Sequence, residues 1–440
     1  MKRWMSALLA ALLLALCVGC GNQAEEPSGI YYDITGIAPT ETVMTVDGNE
    51  IPAQAYFYWT AYNCSYFEYQ LGMLAAYGMS GDLVNVEDGS VNWDAPFSED
   101  QTLSQYVKEE TKSAVTFYAV AENLAAELGV TLTEEDETAI ADNRASMVEE
   151  LGGEDAYAQY LEELGVDEET FTRLQSASLL IGDMTDLTLQ EGSELYLPEE
   201  GYDQYATYAD HILLATQDTA TGAALSEEEI AEKRQTAEDL LSQLQASDDV
   251  VTLFGQLADE YSEDPGRAEN PDGYIYTPGT MVAVFEDAAA ALEPGQVSGI
   301  VESDYGYHII LRRDLSEGLA NDPDTKRALA QQHLQGLLEE RMAEAEVTVS
   351  EKLNTLDPGA FYTQYVAELE AMRAPADEAA GEDGADAAAG EDGADAAAGD
   401  ASGDTAGETE TSDETETSGN TESSGEADAG SGNDGESSGQ

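Results

Sequence analysis

Tyr208-Ala209-Asp210-His211-Ile212-Leu213-Leu214 is an apolar run broken by one acid and one histidine, and it reads as a strand that opens a compact unit. Downstream, Ser226-Glu227-Glu228-Glu229 has the form of a capping box. It starts a helix with Ile230, Ala237, Leu240, Leu241 and Leu244 on one side. A second helix carries Leu253, Phe254, Leu257, Ala258 and Tyr261 at helical spacing. Gly- and Pro-rich chain follows, then a short apolar piece around Phe285, then Gln296–Val301 and Tyr307–Leu311 as strands. This order gives an α+β unit over residues 205–315.

On its N-terminal side the pattern is helical. Val43-Met44-Thr45-Val46 before Asp47-Gly48 reads as a short strand entering a tight turn. Pro52 suits the first turn of the helix that follows. Eight aromatics lie between Tyr56 and Tyr69, too many for one narrow stripe, so some must face a partner element or a groove. Residues 103–128 keep steps of three and four through Ala114, Phe117, Ala121, Leu124 and Leu128, with Gly129 as the expected C-terminal cap. Thr133-Glu134-Glu135-Asp136 opens the next helix, Gly152-Gly153 ends it, and Glu154–Leu164 and Asp167–Leu187 continue the series. Residues 41–200 therefore form a helical domain. On the C-terminal side, within 320–372, Asp324–Ala345 is a long helix and Val347-Thr348-Val349 a strand able to pair with the one at Val43. That pairing makes the 205–315 unit an insertion in the helical domain.

The ends of the chain have other compositions. Lys2 and Arg3 precede an almost wholly apolar run from Met5 to Val18, which has the size of a signal-peptide core. It ends in Leu16-Cys17-Val18-Gly19-Cys20, which resembles a bacterial lipobox. Cys20 is the expected lipidation site, because small Gly19 precedes it. Residues 1–19 are then a lipoprotein signal peptide and 20–40 a membrane tether. Cys64 is left as the single thiol and reads as a buried small apolar residue. From Ala374 to Gln440 there is no Lys, Arg, Val, Ile, Leu, Met or aromatic residue, and Gly381–Ala389 repeats as Gly390–Ala398. Such a segment cannot bury enough apolar surface to offset chain entropy, so 374–440 is expected to be a disordered acidic tail.

Over its 440 residues the chain carries a formal net charge of −75, from 91 acidic and 16 basic side chains. Phosphate binding needs clustered Lys and Arg, so nucleic-acid partners are excluded.

Several blocks of the 205–315 unit together resemble a parvulin-type peptidyl-prolyl isomerase. They are His211-Ile212-Leu213-Leu214, Ala258 to Asp264, Gly279-Thr280-Met281 with Phe285-Glu286-Asp287-Ala288, Leu292 to Ser298, and Tyr305 to Ile310. The resemblance implies a shallow pocket on one face of a small antiparallel sheet. Carried over residue by residue, it places His211 and His308 as a hydrogen-bonded pair beneath a bound proline. Asp264 stands where the family has Cys or Asp, and Ser303 supports the histidines. Met281 and Phe285 form an apolar floor, and Tyr305 lines the rim. In one departure, Pro271-Asp272-Gly273-Tyr274-Ile275 replaces the family's Gly-Gly-x-Leu-Gly, so the apolar residue near Gly273 is absent. This chemistry implies no metal and no cofactor.

Outside the unit, Val46-Asp47-Gly48 and Glu150 to Gly153 before Tyr157 and Leu161 resemble the chaperone lobe of PrsA-like and SurA-like foldases. The expectation is an α+β protein: a helical chaperone lobe built from N- and C-terminal segments, an inserted parvulin-like domain, and a disordered tail. Its implied role is a lipid-anchored foldase on the extracytoplasmic face of a bacterial membrane. It would isomerise Xaa-Pro bonds in unfolded or partly folded secreted polypeptides that contain proline. A non-catalytic holdase with a degenerate parvulin domain is the alternative. A solute-binding lipoprotein is disfavoured by the missing βαβ pattern.

Overall fold

The computed structural model describes residues 27–98 and 100–379. The signal segment, Cys20 and the tail beyond residue 379 lie outside the described residues.

The first element is one that composition concealed. Ile30–Thr35 forms a short helix (α1) closed by Gly36 at φ 67°. Tyr31 is buried, with its ring 5.7 Å from Phe57 and 5.6 Å from both Phe361 and Tyr365. The tether expected over 20–40 therefore does not extend through its second half, which is packed into the helical lobe. A helix of six residues is too short to display a 3.6-residue period.

Strands β1 (Thr42–Val46) and β2 (Asn49–Pro52) form a hairpin turned by Asp47 at φ 50° and Gly48 at φ 85°. Positive φ at both central residues is the two-residue turn whose twist matches the strands. Pro52 ends the edge strand β2 in extended conformation and precedes the helix instead of sitting in its first turn. Having no N–H, proline loses nothing at a strand edge.

Helix α2 (Ala53–Ala76) buries Tyr56, Phe57, Tyr58 and Trp59, because Tyr31 of α1, the β1–β2 hairpin and three later helices pack against it. Helix α3 (Leu103–Leu128) starts at a Thr102 capping box and ends at Gly129 with φ 70°. Helices α4 (Glu134–Leu151), α5 (Glu154–Leu164) and α6 (Glu168–Leu189) follow, with the Thr133 box and the Gly152-Gly153 break where the sequence places them.

The inserted unit comprises β3 (Thr207–Ala215), α7 (Glu227–Gln245), α8 (Val250–Tyr261), β4 (Tyr274–Tyr276), α9 (Ala283–Ala290), β5 (Val297–Ser303) and β6 (Gly306–Arg312). Its antiparallel sheet has the order β4-β3-β6-β5. Ile212, Leu214, Tyr307, Ile309 and Leu311 face α7 and α8, packing on Leu240, Leu244, Phe254 and Leu257. Ala209, Ile310 and Tyr276 face the other way, against Phe285 and Ala289 of α9. With both faces covered, β3 and β6 are buried over nearly their whole length.

The chain then returns to the lobe through α10 (Leu315–Asn321) and α11 (Pro323–Glu344). Leu315, Leu319, Leu329 and Ala330 pack with Leu197, Tyr202 and Tyr208 at the junction. Strand β7 (Val347–Val349) pairs antiparallel with β1, Met44 opposite Val349 and Val46 opposite Val347. Short α12 (Glu351–Asn354) leads to α13 (Pro358–Ala379), where Phe361 stacks on Phe57 at 5.2 Å. The fold is thus a helical lobe closed by segments from both ends of the described chain, with the small sheet unit between them. Helix α13 continues a few residues beyond the expected tail boundary at 374. Among the described residues no helix is long and apolar enough to cross a membrane.

Candidate functional site

Strands β3 and β6 set the centre of the site. Leu213 pairs with His308 and Ile310 with His211, so the two histidines are diagonal neighbours on one sheet face. Their rings meet edge-to-face, 5.3 Å between centroids at 70°. Phe285 of α9 closes over both, 5.3 Å from His211 and 5.7 Å from His308.

The expected hydrogen bond between the histidines is not formed. His308 Nε2 bonds Ser303 Oγ at 2.7 Å, and His211 Nε2 lies 3.5 Å from Asp264 Oδ2. The Nδ1 of each ring is buried without a partner among the described residues. A diagonal placement lets each imidazole reach a different neighbour at its Nε2.

Each flanking group is fixed by backbone. Ser303 ends β5 opposite Gly306, and its Oγ also accepts the Tyr305 N–H at 3.1 Å. Asp264 follows α8 on a segment stitched beside β3: Glu263 N–H donates to Leu213 O at 2.8 Å, and Ser262 Oγ accepts from Leu213 N–H at 3.2 Å. Asp264 Oδ1 then accepts the Gly266 N–H. Met281 is half-buried beside Phe285, in a loop held by Glu286, which accepts from the N–H groups of Gly279 and Met281. Tyr305 is half-exposed on the β5–β6 turn.

All seven residues expected of the pocket are thus placed in this one unit. The sequence reading missed Tyr274. Its ring lies nearly parallel to His211, 5.8 Å away at 15°, and its hydroxyl donates to Asp264 Oδ2. The unusual Gly273-Tyr274 order has a steric reason. Gly273 sits at φ 100°, and a Cβ there would lie 2.6 Å from Ala209 O, so no larger residue fits against β3. The aromatic ring of the next residue covers His211 instead. A second missed feature lies behind the histidine. Asp210, from the opposite face of β3, is buried and pairs with Arg267 Nη1 at 2.9 Å, and Arg267 Nη2 reaches Asp259 at 2.8 Å.

Burial governs the charge state. It depresses His308 to about 4, helped by neighbouring His211 and opposed by Asp264. Burial also lowers His211, against the pull of Asp264 and with a further push from Arg267. Burial and the Asp264 carboxylate hold the Tyr274 hydroxyl protonated, its pKa raised well above the ordinary value. At neutral pH the site therefore offers two neutral imidazoles and a protonated phenol, with the Ser303 hydroxyl and the Asp264 side chain beside them and the Phe285 ring against both histidines. Among the described residues no three His, Cys, Asp or Glu side chains are grouped as a metal site. Cys64 lies in the lobe core, its thiol pushed up by burial and directed at Pro358 O.

Residues 211–314 match the family of the PPIC-type PPIase (rotamase) domain. Among curated relatives, the foldase protein PrsA of Halalkalibacterium halodurans is 35% identical over 159 residues, covering 35% of this chain and 44% of that protein. The foldase protein PrsA of Oceanobacillus iheyensis is 30% identical over 221 residues, covering 48% and 63%. The matches span less than two thirds of the length of these relatives. The crystal structure of the PrsA peptidylprolyl isomerase of Bacillus cereus aligns with 63% of this chain and 100% of that one, at 22% identity and a TM-score of 0.27.

Proposed function

We propose that the chain is a foldase that catalyses cis–trans isomerisation of Xaa-Pro bonds in secreted polypeptides, anchored by lipid at Cys20 to the outer face of a bacterial cell membrane. The observation that carries this reading is the pairing of neutral His211 and His308 with an apolar floor of Phe285 and Met281. Rotation about an Xaa-Pro bond faces a barrier of about 20 kcal/mol, set by amide resonance. Twisting the bond removes that conjugation and changes the charge on nitrogen and oxygen. An apolar floor grips the pyrrolidine ring, while the polar groups beside it are already oriented for the twisted amide and need not reorganise. Only preference for the twisted form speeds the step, and each ~1.4 kcal/mol of it is tenfold in rate. No nucleophile takes part, so His211, Asp264, Ser303 and His308 act through orientation and electrostatics. Met281, Phe285 and Tyr305 hold the substrate.

The test is the refolding of a protein whose slow phase is limited by a proline bond. The full chain shortens that phase at catalytic concentration. Suppression of aggregation with the slow phase unchanged would instead establish the holdase. For the anchor, Cys20→Ser releases the chain from the membrane fraction; a variant that stays membrane-bound refutes it.

A further inference from the structure

The aromatics of α2 divide sharply. Those up to Trp59 are buried, whereas the second half of the helix presents Tyr66, Tyr69 and Met73, and the C-cap residue Tyr77 continues the steps of three and four. Residues at that spacing share one face. Their exposures are 49%, 66%, 47% and 74%, and Leu74 and Met79 extend the patch. The loop that follows folds back onto α2 through Phe97, whose ring lies 6.4 Å from Phe67. From Tyr66 to Tyr77 the stripe runs ~16 Å along the axis, room for about five residues of extended chain. Monomer surfaces rarely expose so many large apolar side chains together without a partner.

Charge identifies the partner. Glu68, Asp82, Glu87, Asp88, Asp94 and Asp100 are exposed on this stretch, and the sequence has no Lys or Arg between Arg3 and Lys108. The field over the stripe is negative. It repels an anionic bilayer and a second copy of this acidic chain, and it attracts cationic segments. Tyrosine and methionine contribute large contact area that adapts to varied apolar shapes.

We propose that the exposed face running from Tyr66 on α2 to Tyr77 at its C-cap docks unfolded polypeptide segments in which apolar side chains are interspersed with Lys or Arg. This rests on the foldase reading and specifies which segments such a protein holds.

The test is fluorescence anisotropy of the full chain with three labelled, proline-free ten-residue peptides: Leu alternating with Lys, Leu with Glu, and Ser with Lys. The Leu/Lys peptide binds ~tenfold or more tightly than the other two, and its affinity falls as salt rises. Replacing Tyr69, Met73 and Tyr77 together by Ser weakens it ~tenfold, and Asp82→Lys weakens it without touching the apolar stripe. Equal affinity for all three peptides, or an unchanged triple-Ser variant, overturns the proposal. So does loss of self-association in that variant with peptide binding intact, which would make the stripe an interface between copies. Binding to anionic vesicles in preference to the Leu/Lys peptide overturns it as well. Because the peptides lack proline, their binding supports the docking surface even in a chain that fails to accelerate Xaa-Pro exchange.

Discussion

The Tyr274 hydroxyl donates to Asp264 Oδ2 while its ring stacks on His211, so one side chain orients both neighbours. Asp264 is largely withdrawn from water, with 15% of its side chain exposed. A hydrogen bond to a charged group contributes about 1.5–3 kcal/mol, and Tyr274→Phe is expected to lower stability by an amount in that range. The ring remains to cover His211, so isomerase kcat/KM falls several-fold with KM little changed. Urea unfolding and peptide kinetics on the same sample check both parts. A variant with unchanged stability and rate would show that the hydroxyl orients nothing.

The depressed histidines make the domain sensitive to acid. A base whose folded pKa lies below its unfolded value binds more protons when unfolded, so stability drops as pH falls through the interval between the two values. For His308 that interval runs from 6.5 to about 4. Its contribution is fully present above pH 6.5 and of order 3 kcal/mol is lost by pH 4. His211 shifts in the same direction and adds to the slope. Carboxylates titrate in the lower part of this range, so the comparison is with His308→Asn, whose stability profile is expected to be flatter between pH 6.5 and 5. Equal slopes would refute the assignment.

Removing the cation behind β3 is expected to cost more than any surface change. Asp210 and Arg267 have 3% and 11% of their side chains exposed. Arg267→Met strands a buried carboxylate, a loss of about 3–5 kcal/mol. Restoring neutrality with Asp210→Asn in the same chain recovers part of it. Denaturant midpoints of the two single variants and the double variant measure the coupling.

The lobe has its own weak point. Phe361 is 2% exposed and joins α13 to α2 and α1 through Phe57 and Tyr31. Phe361→Ala is expected to lower lobe stability by about 3–5 kcal/mol. Xaa-Pro exchange by the 205–315 unit is unaffected. Loss of exchange in step with the lobe would show that the two regions fold as one.

What the sequence disclosed follows from range. Capping boxes at Thr133 and Ser226 and the periodic helices are local signals, and the structure contains them where expected. His211, Asp264 and His308 were singled out because they lie in blocks of fixed spacing, whereas Ser303 falls between two of those blocks. Tyr274 was not: its role arises from the close passage of Gly273 over β3, which neighbouring residues do not encode. The Asp210–Arg267 pair spans 57 positions and exists only once the chain leaving α8 is laid beside the sheet. Helix α1 was hidden by its shortness. The apolar stripe on α2 was visible as composition, but only packing separates its buried half from its exposed half.

The most direct measurement is NMR exchange between cis and trans forms of a short Xaa-Pro peptide with the full chain at neutral pH, beside His308→Ala and Asp264→Ala. The expected result is acceleration by the wild-type chain that falls at least tenfold in both variants while their folds persist. No acceleration by the folded wild-type chain, or equal acceleration in the variants, would contradict an isomerase centred on these residues.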